Sequence, residues 1–281
     1  MSGFDEYRVE AWGQTLAGWY KPGNGTPMLA LHGWLDNAHS FVPLVRQGLA
    51  PMLALDFAGH GLSDHRPPQA ATHFVDHVRD VERAAATLTP AEPFDLVGHS
   101  MGAGVAVLFA ATFPERVRRL VLIEGLGPPA TPGHEAPAKL REAIEGMHAL
   151  LDKQAPVYTD FEEAVRARTR GFGGLSIESA RLLCERGLEA ADAGWTWRTD
   201  PRLRLRSSLR LTEEQVAGFV RAIRAPTLLI VGEQGMGGDG AFDHRLDWLE
   251  RVEVARLPGP HHLHMEAPEA VAERIRAFRA D

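Results

Sequence analysis

The alternation of short apolar runs with longer helix-patterned segments constrains the fold of this chain more than any other feature. "PMLALHG", "PMLALDF", "PFDLVGHS", "VRRLVLIEG", "APTLLIVGE" and "RVEVARLPG" recur along the chain. They are too continuous in hydrophobicity for strands with one wet face, which predicts strands covered on both sides. The segments between them read as helices, among them "ATHFVDHVRDVERAAATL", "MGAGVAVLFAATFPERV" and the terminal "PEAVAERIRAFRA". Strand and helix alternating in this way predict a mostly parallel sheet with helices on both faces. Ahead of the first run, "EYRVEAW" and "TLAGWYK" alternate apolar and polar residues around Gly13 and read as an opening hairpin, giving an eight-stranded α/β sheet. One interval breaks the rhythm. From about Pro128 to Leu211 no buried-strand run occurs and the sequence is helix-like, too long for a loop. The expected organisation is a core from residues 1–127 and 212–281, with 128–211 inserted as helices over the sheet's working edge.

Charge and cysteine content narrow the function classes. Acidic residues outnumber basic ones by 37 to 30, a formal charge of -7, so no global positive field invites nucleic acid or an anionic membrane. A single cysteine, Cys184, excludes an internal disulfide, and no apolar run approaches the roughly 18 residues of a spanning helix. These features point to a cytoplasmic protein, monomeric or homodimeric, acting on a small molecule. The local exception is the series Arg198, Arg202, Arg204, Arg206 and Arg210. It is expected to pair with Glu185, Glu189 and Asp192; the alternative is attraction of an anionic substrate.

The chemistry is carried by Gly98-His99-Ser100-Met101-Gly102 in "DLVGHSMGAG". This G-x-S-x-G stands where a strand ends and a helix of small residues begins, so Ser100 is expected in a strained turn that its glycine neighbours permit. The chain resembles the α/β-hydrolase superfamily in "LHGW", "DFAGHGLSD", "GHSMG" and "PGPHHLHMEAPEAVAERI", which occur in the family's order. Within it, "LHGWLDNAHSF", "GHGLSDHRP" and "GWTWRTDPRL" are similar to the serine hydrolase-like group. The resemblance implies that the insertion is a cap domain and Ser100 the nucleophile, with the backbone N–H groups of Trp34 and Met101 forming the oxyanion hole. It implies that the base is His261, counted back from Glu266-Ala267-Pro268, with His262 as the alternative and His264 at a position that is often histidine. Of the other histidines, His32, His60 and His99 belong to motif turns. His39, His65, His73, His77, His134, His148 and His244 read as solvated or capping, and the spacing of the set gives no metal site.

The base needs a carboxylate to hold its tautomer. In most relatives that acid is an aspartate in a pattern like G-x-x-D, which here reads Gly232-Glu233-Gln234-Gly235, with glycine at the acid position. Two candidates remain. Glu124 ends the sixth strand in "LVLIEGLGPP", 24 residues after Ser100, where one branch of haloalkane dehalogenases is implied to keep its acid; Asp239 lies four residues beyond Gly235. Glu124 is preferred, because an isolated carboxylate ending an apolar strand needs a partner. The glycines of "GMGGDG" also fit G-x-G-x-x-G, but "GEQ" separates them from their strand and the next strand ends without an acid, which argues against a dinucleotide. A serine nucleophile speaks against epoxide hydrolysis or dehalogenation. It leaves hydrolysis of carboxylic esters as the default reading, without a cofactor. Thioester, lactone or C–C bond hydrolysis, or ligand binding on a hydrolase scaffold, are the alternatives. Trp195, Trp197, Phe172 and Met147 are candidates to line an acyl pocket.

Overall fold

The computed structural model describes residues 3–70, 72–151, 155–205 and 207–280. In chain order the first half comprises β1 (Asp5–Ala11), β2 (Gln14–Lys21), β3 (Met28–Leu31), α1 (Val42–Arg46), β4 (Met52–Leu55), α2 (Phe74–Leu88), β5 (Phe94–His99), α3 (Met101–Thr112) and β6 (Val117–Ile123). The inserted segment carries α4 (Ala136–Leu151), β7 (Val157–Tyr158), α5 (Phe161–Thr169), α6 (Ile177–Gly187), β8 (Leu188–Ala191) and β9 (Gly194–Trp197). The chain then returns through α7 (Glu213–Arg221), β10 (Thr227–Gln234), α8 (Asp243–Leu246), β11 (Val252–Pro260), α9 (Leu263–Glu266) and α10 (Pro268–Ala280).

Eight strands form one sheet in the order β1-β2-β4-β3-β5-β6-β10-β11, parallel from β4 onward, with the β1–β2 hairpin antiparallel at one edge. The continuous apolar runs are explained by two cores, one on each face. Leu29, Leu31, Leu53, Leu55, Leu120, Leu122, Leu229 and Val231 pack with α2, α3 and α7. Their sequence neighbours Met28, Ala30, Met52, Ala54, Val121, Ile123, Leu228 and Ile230 pack with α1 and α10. The two-residue period of a strand thus serves both cores at once. Helix α3 is buried from Gly102 to Ala110, which its small residues allow. Close approach requires the glycines around Ser100: a Cβ on Gly102 would lie 2.0 Å from the Leu31 carbonyl oxygen, and one on Gly98 2.5 Å from that of Gly102.

The inserted segment differs from its all-helical expectation. Besides α4, α5 and α6 it holds a three-stranded antiparallel sheet in the order β7-β9-β8. "LEAA" in β8 follows α6 directly and consists of strong helix formers, but its pairing with Trp195 and Trp197 of β9 overrides that preference. Helices α5 and α6 place Ala164, Val165, Ala180, Leu183 and Cys184 in the same apolar cluster as α1 and α10. Burial pushes the Cys184 thiol up to about 12, so it is inert. No helix among the described residues is long and apolar enough to cross a membrane.

A buried ion pair fastens the insertion to the sheet. Arg186 of α6 donates from Nε to Asp56 Oδ2 at 2.7 Å, and from a terminal nitrogen to the Gly18 carbonyl of β2 at 3.0 Å. Asp56 also accepts the Ala38 and Leu62 N–H groups. Replacing Arg186 by methionine leaves a buried carboxylate without its counter-charge, and is expected to cost about 3–5 kcal/mol in denaturant unfolding. A loss below about 1 kcal/mol would show that the pair does not hold the insertion in place.

Candidate active site

The parallel register brings four loop segments to one edge of the sheet. Leu31 of β3 pairs with Gly98 of β5, His99 with Ile123 of β6, and Ile123 with Ile230 of β10. Ser100, Glu124 and the 232–240 loop therefore leave adjacent strand ends, and His261 follows directly on β11. Ligand sites of open parallel sheets lie at such carboxyl ends. Ser100 stands between β5 and α3 at φ 52° and ψ -111°, a left-handed conformation that non-glycine residues avoid. Its N–H is tied to the Ile123 carbonyl at 2.9 Å, and strain of this kind persists only where its surroundings impose it.

Glu124 also has a positive φ, 57°. Its carboxylate is buried and meets three donors: the Gly232 N–H at 2.7 Å, the Met236 N–H at 2.5 Å and His261 Nδ1 at 3.0 Å. Because a carboxylate accepts, Nδ1 carries the proton and Nε2 is left with its lone pair. Among the described residues neither His261 Nε2 nor Ser100 Oγ makes a hydrogen bond, to each other or to any other group. Gly235 explains itself here. A Cβ at that position would fall 2.2 to 2.6 Å from three atoms of the Glu124 carboxyl group, so an acid on the β10 loop and one at the end of β6 exclude each other. Asp239 is exposed on that loop, and the partner of His261 Nδ1 is Glu124.

The backbone N–H groups of Trp34 and Met101 make no hydrogen bond within the described residues, whereas their neighbours Ser100, Leu35 and Asp36 do. The loop that carries Trp34 is held by His32. Its Nε2 accepts the Phe57 N–H at 3.1 Å, so Nδ1 bears the proton donated to the Gly33 carbonyl at 2.7 Å. Above His261, Phe172 of the insertion sits edge-on at 5.1 Å. Trp195 packs against Phe161 and Trp197 bonds the Tyr158 hydroxyl, so these two build the small sheet instead, while Met147 is exposed. Of the arginine series, Arg198 pairs with Glu189 at 3.1 Å and Arg202 with Asp200; Arg204 is exposed, and Arg206 lies outside the described residues.

Several buried groups escaped the sequence reading. His262 does not face Glu124; its Nε2 lies 3.1 Å from Asp36 Oδ2, while Arg168 of α5 donates to Asp36 Oδ1 at 2.6 Å. Burial opposes ionisation of Asp36, but His262, Arg168 and His99 around it hold its carboxyl well below the usual range. His39 and His77, expected at the surface, are buried. Asp36, Arg168 and His262 are far apart in sequence and share no motif, so no local signal could have joined them.

Residues 26–171 match the model of the alpha/beta hydrolase fold family. The chain belongs to that family. It is 31% identical to a serine hydrolase-like protein of Danio rerio, covering 97% of this chain and 87% of that protein. It is 27% identical to a 2-(acetamidomethylene)succinate hydrolase of Mesorhizobium japonicum, over 91% of this chain and 88% of the relative. The crystal structure of a hypothetical protein from Pseudomonas aeruginosa PAO1 matches with a TM-score of 0.92 at 45% identity, over 99% of this chain and all of that one. The chain is accordingly a hydrolase that resembles the serine hydrolase-like group within the family.

Two outcomes follow from this geometry. Gly235→Ala puts a methyl group into the Glu124 carboxylate and is expected to lower stability by about 1–3 kcal/mol in denaturant unfolding; an unchanged midpoint would contradict the position of Glu124. The second concerns acid. Burial pushes His32, His39, His60, His99 and His264 below the ordinary histidine value of 6.5, His39 to about 4 and His264 to about 3. Each binds its proton more readily unfolded than folded, so its contribution is full above 6.5 and is lost as pH falls toward the folded value. Each such histidine removes up to about 1.4 kcal/mol per pH unit in that window. Unfolding free energies measured down to about pH 4.5 are expected to fall steeply, and a flat profile would show that these rings are not buried in neutral form.

Proposed function

We propose that the protein is a serine hydrolase of carboxylic esters, working through an acyl-enzyme on Ser100 with His261 as base and Glu124 as the acid of the triad. The supporting observation is the buried contact of His261 Nδ1 with Glu124 Oε2 at 3.0 Å, beside a serine at φ 52°. In this reading Ser100 Oγ attacks the acyl carbonyl carbon while His261 Nε2 takes its proton. Glu124 keeps the imidazole in the tautomer that presents Nε2 and stabilises the imidazolium that forms. The carbonyl oxygen becomes an oxyanion, which accepts hydrogen bonds from the unpaired Trp34 and Met101 N–H groups, each worth roughly 3–4 kcal/mol at the transition state. Collapse of the intermediate breaks the bond to the alcohol, which leaves with the proton from His261. Water, deprotonated by the same nitrogen, then attacks the acyl-enzyme and releases the acid and free Ser100.

Residues 128–211 act as the cap in this proposal, with Phe172 against His261 at the acyl side. Ester hydrolysis is the simplest reaction for this set, because the alcohol leaves with one proton and needs no further group. The name of the Mesorhizobium japonicum relative points to hydrolysis of an acetamido-bearing succinate, which the same nucleophile and donors could perform on an amide-like bond.

The test is labelling with a fluorophosphonate probe together with turnover of p-nitrophenyl esters of graded chain length. Ser100→Ala is expected to abolish labelling and lower turnover by about 10⁴-fold or more, and Glu124→Gln to lower it by about 10³- to 10⁴-fold. Asp239→Asn should stay within about twofold, as a residue outside the hydrogen-bonded set does. Loss of turnover in Asp239→Asn with retention in Glu124→Gln would refute the acid assignment. An unlabelled Ser100 in folded protein would favour a ligand-binding role over catalysis.

A further inference from the structure

A second cluster of buried titratable groups lies one residue away from Ser100 and from His261. Asp36 Oδ2 is 3.1 Å from His262 Nε2 and 3.8 Å from His99 Nδ1, and the three atoms all lie within 4.8 Å of one another. His99 Nε2 is 3.0 Å from the His261 carbonyl oxygen. A carbonyl only accepts, so Nε2 carries the proton and Nδ1 presents a bare lone pair. That atom is fully buried and has no hydrogen-bond partner among the described residues. It faces Asp36 Oδ2 at 3.8 Å, an oxygen that already accepts from His262, so the Nδ1 lone pair is left unmatched away from water. Arg168 neutralises Asp36 at Oδ1 and leaves Oδ2 to the histidines.

Room for a cation comes from a glycine. A Cβ on Gly33 would lie 2.8 Å from His99 Nδ1 and 2.9 Å from Asp36 Oδ2, so any side chain there would fill the space beside both atoms. The outer contact of His99 is of the kind that orients metal-bound imidazoles, whose second nitrogen donates to a backbone carbonyl or carboxylate. We infer that Asp36, His99 and His262 form a binding site for one divalent transition-metal ion such as Zn²⁺ or Co²⁺. The donor set is two imidazole nitrogens and one carboxylate oxygen. It favours these ions over Mg²⁺ and Ca²⁺, which prefer oxygen ligands throughout. The bonds would be about 2.0–2.2 Å long, so donor atoms now spread over up to 4.8 Å draw together by up to about 1 Å when the ion binds. The ion replaces the hydrogen that His262 Nε2 shares with Asp36, and water completes the coordination. This site is independent of the ester reading, since none of its three ligands is the proposed nucleophile, base or acid.

The test is titration of the chelator-treated full chain with Co²⁺, followed by its visible absorption, and with Zn²⁺ by calorimetry. One equivalent of either ion is expected to bind with a Kd below about 10 μM, and His262→Gln and Asp36→Asn are each expected to weaken it by at least about 100-fold. Circular dichroism establishes that each variant is folded; should Asp36→Asn fail to fold, His262→Gln decides alone. A His264→Phe variant serves as control and should bind unchanged, since His264 lies against His99 with its ring tilted by 39° and does not join the three ligands. No equivalent bound below about 100 μM would overturn the site, as would binding that survives in folded His262→Gln.

Discussion

The Glu124 carboxylate is the group around which the working edge of the sheet is arranged. A buried carboxylate is costly unless its oxygens are satisfied, and here two backbone N–H groups of the β10 loop and one imidazole nitrogen satisfy them. Those donors fold the 232–236 segment around the acid, and the acid holds His261 by Nδ1. The pairing of Ile123 with Ile230 makes the ends of β6 and β10 neighbours, so an acid from either strand arrives at nearly the same place. The space admits one carboxylate, and Gly235 is the residue that yields it.

The insertion is joined to this edge by charge as well as by apolar contact. Arg186 reaches from α6 to Asp56, and Arg168 reaches from α5 to Asp36. Both aspartates lie in loops that follow central strands, so each arginine ties a helix of the insertion to a loop of the working edge. Ala180, Leu183 and Cys184 add their apolar faces to the α1 and α10 side of the core. A segment bound in this way cannot swing as a rigid lid without breaking buried ion pairs, each of which leaves an uncompensated charge.

The sheet was legible in the sequence because each strand declares itself locally: a buried parallel strand must be apolar on both faces, and five of the six runs met that demand, whereas β11 is an edge strand in which Ala255 alone is buried. Ser100 was legible for the same reason, since its strained turn requires Gly98 and Gly102 within two residues. The β8–β9 hairpin was not, because Leu188 to Ala191 carry helix-forming side chains and only pairing with β9 makes them a strand. Asp36, Arg168 and His262 were illegible in another way. Each looks like an ordinary polar residue of a loop or helix surface, and only the folded chain puts them within hydrogen-bond distance. Gly235 lies between these cases: its oddity was visible, but its cause is an atom more than a hundred residues away.

His261 is held at two points, and the two holds come from different strands. Its ring is held by Glu124 at the end of β6, and its carbonyl by His99 Nε2 at the end of β5. His99 directly precedes Ser100, so one hydrogen bond and one peptide unit link the His261 backbone to Ser100. Burial keeps His99 neutral, pushed well below its ordinary range with His264, His262 and His261 adding to the effect. A neutral ring keeps Nε2 as donor to the His261 carbonyl and leaves Nδ1 as a lone pair facing Asp36. Burial, with the His264, His262 and His261 rings adding to it, thus keeps His99 uncharged, and its Nε2 holds the His261 carbonyl at 3.0 Å.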